Sequence, residues 1–283
     1  MVSATLKPLR SVGLAALGVV ALLGLGVTAA FAAGKPVFAP PYDVEIFVRG
    51  SFNGWGLGHE MRFDAVDNQY VAYVELVPGG HAFKIASEDW ATVDLGFADD
   101  GFVELNVPEP VTTITSNDLY LEVADAAVYS FTLDVSDPDH LTVLVEYARK
   151  GGDGSQIYLQ SWPATWEFGC LGTASPVVGA VTIKGALHER LSPAGGSIYR
   201  DMQQIKGIAY DQNGVEYRTN QTRPLVFNGK PDGVAFTYSE SFRAKWTAQG
   251  GAPDLYMMVH YKITVGPGGE VRTEHFTYED GCR

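Results

Sequence analysis

Short runs in which apolar and polar residues alternate dominate the chain after residue 33, and helical periodicity is almost absent there. Gly, Pro, Asn and Asp residues separate the runs, as expected for turns between strands. In the first half, Val44, Ile46 and Val48 share one face of a predicted strand. Further rows of alternate apolar residues that would face the core begin at Tyr70 and, after a turn at Gly79-Gly80, at Phe83. Similar rows follow later in the chain. About seven such strands predict an immunoglobulin-like β-sandwich over residues 42–147.

The second half shows the same period. Alternate residues from Met257 to Val265 are apolar, and the Gly-Pro-Gly-Gly turn that follows predicts a long hairpin with Val271–Tyr278. A second hairpin is predicted at Asp211–Gly214. The polar, Gly-rich stretch 148–155 is the predicted linker, and residues 156–283 are predicted to form an antiparallel β domain, either an open sheet or a closed barrel. The fold class is therefore all-β.

The N-terminus has the composition of an export signal. Lys7 and Arg10 precede the uncharged segment Val12–Val27, and small residues flank Phe31. We expect residues 1–33 to be a signal peptide cleaved near Ala32 or Ala33, with 34–41 as a leader, giving a secreted or periplasmic protein. The alternative is an uncleaved anchor, because 12–33 is long enough to span a bilayer.

The two cysteines, Cys170 and Cys282, are predicted to pair, since exported proteins favour disulfides. Two free thiols are the alternative. The predicted disulfide would therefore connect the beginning and the end of the second domain, residues 156–283.

Charge is distributed unevenly along the chain. Residues 42–147 hold 20 acidic residues and only three basic ones, Arg49, Arg62 and Lys84. Such a module repels nucleic acid and anionic lipid, which argues against both as partners, whereas a neutral ligand is tolerated.

Two tryptophans stand outside the inward rows. Trp55 follows a turn, Trp90 lies just after the strand that carries Lys84, and the alternation directs Lys84 outward. A flat apolar ring beside a hydrogen-bond donor suits the C–H face and polar rim of a sugar. The alternative is that each indole plugs an end of the sandwich.

The segments RGSFNGWG and YVAYVELVPGGHAFKIASEDW resemble the glycogen- and starch-binding modules of carbohydrate-binding module family 48, over roughly residues 43–147. This resemblance implies that Trp55 and Trp90 stack on an α-glucan while Lys84 donates hydrogen bonds to sugar hydroxyls. Asn117 is a looser counterpart of an asparagine of that family, because the loop that precedes it here is long. The second half resembles, more faintly, an uncharacterised β-rich domain of secreted bacterial proteins, which supports the cysteine pairing.

These features predict an exported, non-catalytic carbohydrate-binding protein that has a polysaccharide or oligosaccharide of the α-glucan type as its partner and no cofactor or metal. One alternative is an enzyme whose active site lies in the second domain, where His188, His260 and His275 would converge. The other is a structural or adhesive surface protein. Trp162 and Trp166 are expected to begin the core of the second domain.

Overall fold

The computed structural model describes residues 38–97, 101–113, 117–150, 155–171, 176–191, 197–229, 236–266 and 271–283. The predicted signal peptide lies outside these residues. Strands make up most of the described chain, together with two short 3-10 turns at Ser51–Asn53 and Gly169–Leu171. Among the described residues, no helix has the length and apolar character needed to cross a bilayer. The predicted all-β class is confirmed.

Ten strands form the first half of the described chain: β1 Ile46–Gly50, β2 Arg62–Asp64, β3 Gln69–Leu76, β4 Gly79–Ser87, β5 Asp94–Leu95, β6 Gly101–Val103, β7 Glu109–Pro110, β8 Leu119–Val123, β9 Ala127–Asp134 and β10 Thr142–Lys150. One sheet has the order β1-β4-β8-β6, with β5 paired to β4. The other has the order β2-β3-β9-β10-β7. Pairing is antiparallel except between β6 and β8.

The two sheets enclose one apolar core, in which Phe83 of β4 meets Phe131 of β9 edge to face at 5.1 Å between ring centroids. The alternation within the strands produces this core, because β-branched and aromatic residues fit a half-buried pleated surface. Two local expectations are wrong. Val44 precedes β1 and is 37% exposed. Gly79 and Gly80 already belong to β4, so the turn falls at Val77-Pro78.

Seven long strands form the second half: β11 Gln156–Glu167, β12 Pro176–Leu191, β13 Ser197–Tyr210, β14 Glu216–Gly229, β15 Phe236–Ala248, β16 Leu255–Val265 and β17 Val271–Cys282. They follow one another in a single sheet that curves into a half-barrel. Both predicted hairpins, β13–β14 and β16–β17, are confirmed. The predicted disulfide is also confirmed, and Cys170 and Cys282 connect the two edge strands of this sheet.

The concave face of the half-barrel carries its own core at the end nearest the disulfide. The core residues are Phe168, Val177, Val181, Ile183, Ala209, Tyr217, Trp246 and Leu255. Trp162 and Trp166 pack against this cluster, as expected from the sequence. The apolar filling does not extend along the whole concave face.

The convex face of the half-barrel packs on the sandwich through a buried carboxylate. Asp64 is fully buried, and its Oδ1 accepts a hydrogen bond of 2.6 Å from the hydroxyl of Thr182 on β12. Its Oδ2 lies 3.5 Å from the ammonium of Lys184, and Lys206 of β13 pairs with Asp67 at 2.7 Å. Both halves therefore meet at a specific polar junction. The segment predicted as a linker is partly strand, since Arg149 still pairs with Val128.

Candidate functional site

The first tryptophan lies in a tight turn directly after β1. Asn53 closes this turn, since its Oδ1 accepts from the amide of Gly50 at 2.9 Å and its Nδ2 donates to the carbonyl of Val48 at 3.0 Å. The chain then passes through two consecutive left-handed residues, Gly54 (φ 61°) and Trp55 (φ 62°). Glycine accepts this conformation without strain, but a bulky side chain does not.

The second tryptophan ends a turn that follows β4. The carboxylate of Asp89 accepts hydrogen bonds from the hydroxyl of Ser87 (2.5 Å), the amides of Ala91 and Thr92 (3.0 and 3.1 Å) and the Thr92 hydroxyl (2.8 Å). These bonds hold the pKa of Asp89 far below its usual range, the largest contribution coming from Ser87. Trp90 follows with φ 58°, again left-handed.

The two indoles are neighbours. Their ring centroids are 6.1 Å apart with 48° between the planes, and both side chains are half-buried. Each ring therefore keeps some area open to solvent while resting on the module. A left-handed conformation costs an L-residue roughly 1–2 kcal/mol, so the backbone at these two positions would be less strained with glycine. Strain of this kind is typical of functional sites.

Arg49 connects the two turns and was not predicted from the sequence as a site residue. It is only 9% exposed, and its Nε donates to the carbonyl of Trp55 at 2.8 Å. One terminal nitrogen donates to the carbonyls of Ser87 (2.9 Å) and Glu88 (3.0 Å). The guanidinium carbon lies 3.8 Å from the centroid of the Trp90 ring. A single planar cation thus fixes the backbone of both turns and stacks against the ring of Trp90.

Lys84 lies on the outer face of β4, directly across from Arg49 on β1. Its side chain is only 12% exposed, and its ammonium contacts both carboxylate oxygens of Asp94, at 2.9 and 3.2 Å. The predicted outward direction agrees with this position. The ammonium, however, already has a carboxylate partner, which any sugar hydroxyl would have to share.

Asn117 lies farther along the same sheet. Its backbone forms an isolated bridge with Phe97, and the residue is exposed two positions before β8. The structure therefore brings Trp55, Trp90 and Arg49 into direct contact, and places Lys84 in the adjacent cross-strand position. Asn117 is attached to the same sheet through backbone hydrogen bonds.

The histidines proposed for the alternative enzyme do not converge inside the second domain. His188, His260 and His275 are all exposed, and the register places them on the face opposite the core of the half-barrel. His260 contacts the hydroxyl of Ser241 at 2.7 Å on this outer face. The structure does not support this alternative arrangement, because each histidine occupies the outward phase of its strand.

Comparison with known proteins gives one structural likeness. No protein-family model matches the chain, and no curated protein matches it either. A solved structure described as "Ligand induced structure of AmyP-SBD", a starch-binding domain, is similar with 21% identity and a TM-score of 0.30. The match covers 44% of this chain and 92% of the other. At this score the likeness supports no conclusion about the ligand of this chain.

Proposed function

We propose that this chain is an exported, non-catalytic protein that binds α-glucan chains through the Trp55–Trp90 surface. The observation that carries the proposal is the contact between two half-exposed indoles, each held in a left-handed turn. Adjacent aromatic rings offer apolar plates for the C–H faces of successive sugar units. The net negative charge of the module does not oppose a neutral ligand.

Each polar residue has a separate role in this proposal. Arg49 holds the two plates in place, since its hydrogen-bond donors are directed at backbone carbonyls. Lys84 donates to a sugar hydroxyl while it keeps its contact with Asp94. Asn117 adds a polar group along the same sheet. Affinity should be modest, because an open surface buries little area and long sugars lose flexibility on binding.

Export is the second part of the proposal. A disulfide within the described chain fits an oxidising compartment. N-terminal sequencing of the protein recovered from the periplasm or medium should place the new terminus near Ala32 or Ala33. A membrane-bound protein that retains the residues before Ala32 would support the anchor alternative instead.

The binding test is retention of the mature protein on insoluble starch, cellulose and chitin. The wild type should be retained on starch, and the double variant Trp55→Ala/Trp90→Ala should not. Tyr147→Ala is a matched control, because this aromatic residue is 51% exposed on a strand of the other sheet. Equal retention of the wild type and the double variant, or no retention of the wild type on any polymer, would reject the proposed surface.

A further inference from the structure

A polar cluster lies on the concave face of the half-barrel, away from its apolar core. The register places Tyr158, Gly185, Gln203 and Arg223 in one row across β11 to β14. Arg223 extends the row to β15 through an ion pair of 2.9 Å with Glu240. Polar residues thus replace the apolar filling at this end of the curved sheet.

Hydrogen bonds connect the buried part of this cluster. The hydroxyl of Tyr158 donates to Asp201 Oδ2 at 2.5 Å, and Gln203 Nε2 donates to the same oxygen at 2.8 Å. Arg223 Nε donates to Gln203 Oε1 at 3.0 Å. Gly185 makes this arrangement possible, since a Cβ there would lie 2.2 Å from the Tyr158 ring. The sheet is therefore shaped to hold this tyrosine against Asp201.

One carboxylate oxygen in the cluster has no hydrogen-bond donor. Asp201 is 4% exposed, and its Oδ1 accepts no hydrogen bond from the described residues. Arg223 is directed at Gln203 and Glu240 rather than at this oxygen. The guanidinium therefore pairs with Glu240, and Asp201 has no cationic partner among the described residues. A buried carboxylate with an unused oxygen favours a partner that brings a hydrogen bond and a positive charge.

Aromatic side chains of β15 and β16 border the cluster. The rings of Tyr238 and Tyr261 are 6.1 Å apart, and Arg223 stacks on Phe242 at 4.2 Å. The side chains of Arg223 and Glu240 are 15% and 16% exposed, so the cluster comes close to the surface on this side, and Asp201 Oδ1 lies buried beneath it. Burial raises the pKa of the Tyr238 hydroxyl, which therefore remains a donor to Glu240 at neutral pH.

We propose that this cluster binds a small organic molecule through a protonated primary amine, with Asp201 Oδ1 as the acceptor. Oδ2 of Asp201 already accepts two hydrogen bonds, and both oxygens of Glu240 are engaged by Arg223 and Tyr238. The single unused oxygen suits one charged donor, whereas Ca²⁺ requires six or more oxygen ligands. The neighbouring aromatic faces favour the same cation and an apolar body attached to it. The site is independent of the Trp55–Trp90 surface.

The test compares benzylamine with benzyl alcohol, which differ in the charged donor but share the aromatic ring. Binding to the mature protein is measured by calorimetry and ligand-observed NMR. The wild type should bind the amine saturably and the alcohol at least about tenfold more weakly. Asp201→Asn, which keeps the shape and removes the charge, should weaken amine binding by a similar factor. Glu279→Gln makes the same charge change at an exposed residue of β17 and should bind like wild type.

Several results would overturn the proposal. These are no amine binding by the wild type, equal binding of amine and alcohol, or an equal loss in Asp201→Asn and Glu279→Gln. The amine–alcohol comparison uses only the wild type, so it decides the question even where Asp201→Asn does not fold. The variant Trp55→Ala/Trp90→Ala should bind the amine normally, which separates this site from the proposed glycan surface.

Discussion

Replacing Arg49 should disturb both indole turns at once. In Arg49→Ala, three backbone carbonyls lose a charged donor and Trp90 loses the cation beneath its ring. Hydrogen bonds to charged groups are each worth about 1.5–3 kcal/mol, but water can replace part of them in a surface turn. We therefore expect the free energy of unfolding to fall by about 2–4 kcal/mol. Arg49→Lys should recover only a minor part, because an ammonium cannot reach all three carbonyls or stack as a plane.

Two measurements follow this change. Urea unfolding gives the loss of stability, and near-ultraviolet circular dichroism reports the coupling between indoles whose centroids are 6.1 Å apart. The coupling signal should weaken in Arg49→Ala under conditions where the protein remains folded. Retention on starch should weaken in parallel, since both plates lose their fixed geometry.

Arg62→Ala provides the control. Arg62 belongs to the same module, its side chain is 62% exposed, and it forms an ion pair of 2.9 Å with Glu60. Loss of such a surface pair should change stability by less than about 1 kcal/mol. If Arg49→Ala and Arg62→Ala show the same stability and the same indole coupling, then Arg49 does not hold the two turns together.

Three further predictions concern other parts of the molecule. Reduction, or the variant Cys170→Ser/Cys282→Ser, should lower the free energy of unfolding by about 4–5 kcal/mol in the chain-entropy model, as measured by urea unfolding with and without reductant. Burial lowers the pKa of His59 below 6.5. The contribution of the neutral imidazole to stability is therefore complete above pH 6.5 and is lost as the pH falls through the lowered pKa. Between pH 7 and 5, the thermal unfolding temperature should decline less in His59→Gln than in the wild type. Gly185→Ala should destabilise the second domain by about 1–3 kcal/mol because the added methyl group meets a tyrosine ring, whereas Gly58→Ala, with open space around it, should be nearly neutral in the same unfolding assay.

Alternation alone predicted most of the strands, because one face of nearly every strand packs against a core. Phe83 and Ile85 are both fully buried, as their phase in β4 requires. The turn before β4 was misplaced because Gly79 has φ 134°, a conformation that glycine adopts within a strand as well as in a turn. The curvature of the second sheet could not be predicted from the sequence, because it depends on the combined twist of several long strands.

The candidate site was predictable only in part. Trp55 and Trp90 could be assigned to turns because they interrupt the inward rows, but their contact depends on the pairing of β1 with β4. Arg49 was overlooked because its role consists of bonds to backbone carbonyls, which leave no pattern of side-chain types. Asp94 was not recognised as the partner of Lys84, since only the pairing of β5 with β4 brings them together.

The carboxylate of Asp64 also limits how the protein can be divided for experiments. A fragment that ends at residue 150 would strip away Thr182 and Lys184, its hydroxyl donor and its nearest ammonium. A carboxylate that is fully buried in the intact protein would then face water without its two partners. Work on glycan retention should therefore use the whole mature chain, because a shortened sandwich that aggregates would imitate a loss of binding.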